Sequence, residues 1–193
     1  MAQRACAVGH FAALLPQAGR MERFVKLWAA LLVPALIVFA LDQAAKYLVR
    51  TNIALGEVLT PIEPLREVFG ITFSQNTGAA FSLLPQAGDL FLIIAIAMIV
   101  GILLFYRRMA GASWLTRLAL GLVLGGTCGN ALDRLTLGYV VDWFLVRIPN
   151  VAANVSNFAD HAIVIGIGVL FLLSWRAKPA QQAEPEDSSG SLQ

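Results

Sequence analysis

Four long apolar runs dominate this chain and restrict it to folds that cross a membrane. They cover roughly residues 25–48, 88–106, 114–132 and 159–175. Each is close to the length of about 20 residues with which a helix spans a bilayer. Only 13% of the residues are charged, which is about half the share usual in soluble domains. We therefore predict an integral membrane protein of the all-α class with four transmembrane helices.

The basic residues predict the orientation of these helices. They gather before span one, between spans two and three, and after span four: Arg4, Arg20, Arg23, Lys26, Arg107, Arg108, Arg117, Arg176 and Lys178. By the positive-inside rule these regions are cytoplasmic, as are both termini. A net charge of +2, spread over the chain, argues against nucleic-acid binding, which requires a clustered basic face.

The segments between spans one and two and between spans three and four then face the outside. The first, about residues 50–87, contains two β-prone stretches, 59–62 and 68–73, so we predict a small extracytoplasmic β-sheet there. The second ends in residues 148–156, which are rich in Asn and small side chains. We predict an irregular connector for that stretch.

The two ends of the chain are predicted to lie outside the membrane domain, which we place at residues 21–178. Residues 1–20 weakly imitate a secretory signal, but His10 interrupts the apolar stretch and Met21 offers a second natural start, so we expect a dispensable extension. Residues 179–193 lack apolar periodicity and are expected to form a disordered cytoplasmic tail.

Two aspartates, Asp142 and Asp160, stand where the chain leaves apolar spans. A carboxylate beside hydrocarbon is costly and therefore suggests a function. If helices three and four form a hairpin, the two acids meet, and repulsion with desolvation raises one pKa, which leaves one acid and one base. Peptide hydrolysis by activated water needs that pair. The alternative is that each aspartate only caps a helix or marks the interface.

A polar cluster, Gly129–Arg134, lies at the outer end of span three. On a helix Asn130 and Arg134 are four residues apart and share a face, with Asp133 nearby. The guanidinium suits bidentate contact with Asp142 or with a substrate carbonyl. The alternative is that these charges simply neutralise a helix end.

Two further motifs suggest supporting roles. Asn76 and Gly78 precede span two, where Asn76 could supply amide hydrogen bonds and small residues allow close approach of the backbone; a purely structural turn fits equally well. Asp42 and Lys46 have the i,i+4 spacing of a helical ion pair in span one. We interpret this pair as architectural.

Other catalytic patterns do not occur in the sequence. It contains no His-Glu-x-x-His and no Gly-x-Ser-x-Gly, and Cys6 and Cys128 have no CxxC or Cys/His neighbours, so we expect no metal, no other cofactor and no disulfide. His161 would point about 100° away from Asp160 on a helix, which leaves it at most a local tuner.

Two rival functions remain open from the residues alone. One is a metal-dependent membrane transferase that binds Mg²⁺ through Asp133, Asp142 and Asp160. The other is a small transporter or assembly subunit whose intramembrane carboxylates relay protons.

Five ordered motifs resemble those of the lipoprotein signal peptidases, the type II signal peptidases of bacteria. They are Asp42-Gln43-Ala44-Ala45-Lys46, Asn76-Thr77-Gly78-Ala79-Ala80-Phe81-Ser82, Gly129-Asn130-Ala131-Leu132-Asp133-Arg134, Val141-Asp142 and Asn157-Phe158-Ala159-Asp160. The resemblance implies a membrane aspartyl endopeptidase of the bacterial inner membrane. It further implies prolipoprotein substrates with a diacylglyceryl cysteine, cleaved just before that cysteine, contact with membrane lipids, and no metal. We expect a monomer.

The same resemblance implies roles for individual residues. The catalytic pair falls on Asp142 and Asp160, with Asp42 and Lys46 as structural support. Site-shaping or substrate-binding positions are Asn76, Gly78, Asn130, Asp133, Arg134 and Asn157. Ser156 departs from the family pattern, which commonly has an aromatic residue there, and this could alter how the loop packs.

Overall fold

The computed structural model describes residues 3–78, 87–109, 112–149 and 151–176, and the side chains of residues 3–18, 87 and 109 are not described. Its helices are α1 Gln3–Asn52, α2 Ala87–Tyr106, α3 Trp114–Leu137 and α4 Phe158–Arg176. Each contains a segment long and apolar enough to cross a membrane, so the four predicted spans are confirmed. Span one belongs to a helix of 50 residues, which is about 75 Å long. The predicted tail, residues 179–193, lies outside the described residues.

Helix α3 is the centre of the bundle. In its span 56% of the residues are buried, against 6–17% in the other three. Small residues make this possible because they let helix backbones approach closely. A Cβ at Gly121 would come within 2.6 Å of Pro34 in α1, and a Cβ at Gly126 within 2.5 Å of the Ala159 carbonyl in α4. Helix α1 continues through Pro34.

A four-stranded antiparallel sheet covers one end of the bundle. The strands are β1 Val58–Leu59, β2 Phe69–Asn76, β3 Val140–Ile148 and β4 Ala152–Ser156, paired in chain order. Short 3₁₀ turns occupy Glu63–Leu65 and Arg107–Met109. The predicted sheet is confirmed for the first outer segment, but it also includes the second.

The irregular connector predicted for residues 148–156 was wrong. That stretch contains the end of β3 and the whole of β4, with Val146 opposite Asn154 and Ile148 opposite Ala152. Ala and Asn have low strand propensity, but the pairing surface that β3 offers outweighs such local preferences.

The sheet register positions Asp142 on a chosen face. Asp142 pairs with Ser74 of β2, and its neighbours Val141 and Trp143 belong to a buried apolar cluster with Val49 of α1. Because side chains alternate along a strand, Asp142 points to the opposite face from these neighbours. A tight turn from α3 to β3 sets this arrangement, since α3 is capped by Gly138 at φ +79°.

Candidate active site

Asp142 is buried and both of its carboxylate oxygens accept hydrogen bonds. Only 3% of the surface of Asp142 is exposed. Asn76 donates to Oδ2 at 2.9 Å and Asn157 donates to Oδ1 at 2.6 Å. Two amides from different segments therefore fix the plane of one carboxylate.

Backbone N–H groups orient both amides. The N–H of Gly78 donates to Asn76 Oδ1 at 2.9 Å, and the N–H of Asp160 donates to Asn157 Oδ1 at 2.9 Å. Since each amide oxygen is already accepting, each NH₂ group must be the one that faces Asp142. Gly78 adopts φ +82°, a conformation that side-chain-bearing residues rarely take.

Asp160 lies in the first turn of α4, with Asn157 immediately before the helix. Asn130 Nδ2 donates to Asp160 Oδ1 at 2.7 Å. The positive end of the helix dipole also favours a negative charge here. Asn157 thus joins the two acids, because it donates to the Asp142 side chain and accepts from the Asp160 backbone.

The environment of Asp142 raises its pKa from 3.8 to about 6. Burial is the largest cause, and the nearby charge of Asp160 acts in the same direction. The hydrogen bonds from Asn76 and Asn157 and the charge of Lys46 lower the pKa in part. Asp142 therefore exchanges its proton close to neutral pH, as acid–base catalysis requires.

Lys46 forms the centre of a buried charge network. Its ammonium contacts Asp42 at 2.8 Å, Asp133 at 2.9 Å and the Asn130 side-chain oxygen at 2.8 Å. The predicted ion pair between Asp42 and Lys46 is confirmed, and it is larger than predicted because Asp133 joins it. By holding the oxygen of Asn130, Lys46 also directs the NH₂ of that amide toward Asp160.

Each carboxylate of this network also holds a backbone N–H next to a candidate catalytic acid. The N–H of Ala159, which precedes Asp160, donates to Asp42 Oδ1 at 2.9 Å. The N–H of Val141, which precedes Asp142, donates to Asp133 Oδ2 at 3.1 Å. One ammonium thus ties together the two chain segments that carry the acids.

Arg134 lies beside the site with donors to spare. Its Nη1 donates to the Asn130 carbonyl at 3.4 Å, and the guanidinium stacks 5.4 Å from the Phe91 ring centre. Its charge interacts with Asp160, Asp142 and Asp133. Within the described ranges Arg134 Nε is buried without a hydrogen-bond partner. Contact with a substrate carbonyl therefore stays a prediction.

Asp133 and His161 lie next to the candidate acids and have other partners. Asp133 accepts from Gln43 at Oδ1 and from Val141 and Lys46 at Oδ2, so it is engaged in the ion network and does not present a free carboxylate for the Mg²⁺ cluster of the rival function. His161 shares a hydrogen bond of 3.2 Å with the Ser156 hydroxyl and packs edge-on against Phe144.

Sequence reasoning missed Gln43 and the glycines of α3. Gln43 Nε2 lies within 3.1–3.3 Å of Asp133 Oδ1, Asp42 Oδ2 and the Gly129 carbonyl. A signal for the glycines existed, since Gly121, Gly125 and Gly129 recur every four residues, as in close helix packing. No local signal marked Gln43.

Two neighbouring acids, one of them with a pKa moved toward neutrality, are the arrangement with which aspartic proteases activate water. In a four-helix membrane bundle this defines the class of a membrane aspartic protease. Residues 34–176 match the family model described as signal peptidase (SPase) II. The chain belongs to the signal peptidase II family.

Individual relatives agree with this assignment. Lipoprotein signal peptidases of Halothermothrix orenii and Pseudomonas aeruginosa are 40% and 36% identical to it, over 75% and 88% of this chain and 94% and 98% of their own lengths. A solved bacterial membrane enzyme is similar at a TM-score of 0.68 and 27% identity, covering 76% of this chain and 92% of that enzyme.

Proposed function

We propose that Asp142 and Asp160 are the catalytic dyad with which this chain cleaves lipidated prolipoproteins just before the modified cysteine. As a signal peptidase II, the chain is a membrane protease that removes signal peptides from prolipoproteins. The observation that carries the finer proposal is the shared contact of Asn157 with both acids.

In the proposed reaction the dyad holds one proton. We assign this proton to Asp142, since burial raises the pKa of that carboxyl to about 6, and assign to Asp160, at the start of α4, the role of the base that removes a proton from the attacking water. Asp142 then stabilises the developing oxyanion and Asp160 returns its proton to the leaving amine. Because the acids interact, the apparent pKa values belong to the pair.

The surrounding polar residues are proposed to shape this site. Asn76, Asn130 and Asn157 hold the carboxyl groups, as their hydrogen bonds indicate. Gly78 fixes the turn that orients Asn76. Arg134 is proposed to bind a substrate carbonyl, because its charge interacts with both Asp142 and Asp160 and therefore lies close to the dyad. Asp42, Lys46 and Asp133 support the site from beneath.

Substrate selection is proposed to begin with membrane depth. Each buried methylene contributes about 0.8 kcal/mol, so two acyl chains hold a diacylglyceryl cysteine at the interface. The acids lie at the sheet-covered end of the bundle, and the positive-inside rule assigns this end to the periplasmic side of the inner membrane. We further propose that the enzyme acts as a monomer, and that residues 21–178 suffice while residues 1–20 are dispensable.

The test uses purified protein in detergent or lipid with a diacylated precursor peptide. Asp142→Asn and Asp160→Asn are each expected to abolish cleavage, with unchanged membrane insertion. Asp89→Asn is the control, since Asp89 is an exposed acid in the first turn of α2, and it should retain full activity. Activity is expected to persist in EDTA. Full activity in either dyad variant would refute the proposal, and loss of cleavage in EDTA would indicate metal-dependent hydrolysis in place of the metal-free dyad.

A further inference from the structure

A cleft between α1 and α2 is chemically distinct from the active site. At its cytoplasmic end, as the charge pattern assigns it, lies a pocket of about 550 Å³ lined by Arg20, Met21, Phe24 and Arg107. Among the described residues neither arginine forms an ion pair. The pocket therefore combines two available cations with an apolar wall.

Deeper in the membrane span the same two helices border an apolar groove, which is separated from the pocket by the contact of the Tyr106 hydroxyl of α2 with the Leu27 carbonyl of α1. The groove has a volume of about 310 Å³ and is lined by apolar side chains. Its walls and floor include Leu32, Leu36, Phe39, Ile99, Leu103 and Cys128. It lies among α1, α2 and α3 and is open on one side, so lipid can enter it.

The pocket and the groove lie on one side of the molecule. In α1 the residues Phe24, Ala35 and Phe39 fall on one helix face, because their spacing of eleven and four residues follows the helical repeat. In α2, Leu103 lies four residues before Arg107. Phe24 and Leu32 are separated by a rise of about 12 Å, which is within the roughly 15 Å depth of one leaflet.

Basic residues extend around Phe24. A second pocket of about 360 Å³ shares Phe24 and is lined by Arg23, Lys26 and Arg117. Among the described residues, Glu22 pairs with Lys26 at 2.6 Å and reduces this charge locally. Arg20, Arg23 and Arg107 keep the rim positive, which complements the phosphate of an anionic lipid.

We propose that this cleft binds an anionic glycerophospholipid, with its phosphate between Arg20 and Arg107 and one acyl chain in the groove. Basic pockets between helices on the cytoplasmic side suit such headgroups. The groove's volume corresponds to about ten groups the size of a water molecule. That accommodates a segment of about ten methylenes of one acyl chain and excludes a second helix, which is at least about 10 Å wide.

The headgroup test measures lipid binding to purified protein in detergent, by native mass spectrometry and by thermal stabilisation. Phosphatidylglycerol is expected to bind and stabilise more strongly than phosphatidylcholine. Arg20→Gln/Arg107→Gln should weaken phosphatidylglycerol binding about 30-fold. The control Arg108→Gln/Arg176→Gln removes two cations at the same membrane side that do not line the pocket, and should change binding less than threefold.

The acyl-chain test compares two lipid-facing positions of α1. Leu36 lines the groove whereas Ile37 does not, and both are exposed, at 64% and 54%. Leu36→Trp should weaken phosphatidylglycerol binding about tenfold, as if roughly two methylenes were displaced, and Ile37→Trp should not.

Four results would overturn the proposal. Equal binding of the two lipids would remove the charge requirement, and equal effects of the two arginine pairs would indicate general attraction to the basic surface. Stabilisation by soluble glycerol phosphate as strong as by the lipid would indicate a site for free phosphate. Equal effects of the two tryptophan variants would exclude the groove.

Discussion

Replacing Lys46 by Met tests whether the buried ion network holds the two candidate catalytic acids in place. The ammonium is 3% exposed and lies between the carboxylates of Asp42 and Asp133 at 2.8 and 2.9 Å. Removing it leaves two buried negative charges without a counter-ion, which costs about 3–5 kcal/mol. It also releases the Asn130 oxygen, and a displacement of about 1 Å at a catalytic group costs about 100-fold in rate.

The chain supplies a matched control for this substitution. Lys26 and Glu22 form the same i,i+4 type of pair in the same helix, at 2.6 Å, but their side chains are 74% and 65% exposed. Such surface pairs contribute at most about 0.5 kcal/mol. Lys26→Met should therefore leave stability and cleavage almost unchanged.

The assay is reversible unfolding in mixed micelles, followed by cleavage of a lipidated precursor under folding conditions. Asp133→Asn is then introduced alone and with Lys46→Met. In the double variant Asp133 no longer carries an uncompensated charge, so the loss of stability should be smaller than the sum of the two single losses by about 1–3 kcal/mol. Our reasoning would be refuted if Lys46→Met were no more harmful than Lys26→Met, or if the two effects simply added.

Two further changes test other parts of the structure. Asn76→Ala removes a hydrogen bond that lowers the pKa of Asp142. In the parent, kcat/KM for cleavage should decline as pH rises through about 6, because Asp142 loses its proton. In the variant this decline should move to higher pH, and a move to lower pH would contradict the assignment. Gly126→Ala places a Cβ 2.5 Å from the Ala159 carbonyl, so it should lower the unfolding free energy by about 1–3 kcal/mol and reduce cleavage. The control Gly168→Ala, with nothing within 4 Å of the added Cβ, should be neutral or slightly stabilising. Equal unfolding midpoints for the two variants would rule out the close approach of α3 and α4.

The helices could be predicted because each depends on local composition. An apolar run of about 20 residues has few alternatives to a membrane helix, and the four runs became α1 to α4 with only their ends changed. Strand β4 could not be predicted in the same way. Its sequence, Ala-Ala-Asn-Val-Ser, has little strand propensity, and its state depends on pairing with β3.

Candidate site residues could be proposed from type and position, but their connections could not. Gln43 contacts Asp133 across 90 residues of sequence, and Asp42 accepts from the Ala159 backbone across 117. Local periodicity carries no information about such separations. The i,i+4 spacing indicated that Lys46 pairs with Asp42, and the folded chain adds Asp133 and Asn130.

Asn157, immediately before α4, contacts both acids, and an asparagine suits this position better than the other residues that begin helices. The start of a helix needs a side-chain oxygen to accept a backbone N–H, and Ser, Thr, Asp and Asn all provide one. Asn157 must in addition donate to Asp142 with a group that is not engaged in the cap. Asp would bring a third carboxylate against Asp142, and Ser would have to reach both the Asp160 N–H and the Asp142 carboxylate from a single oxygen. An amide carries its acceptor and its donor on separate atoms, so one residue both caps α4 and orients the Asp142 carboxylate.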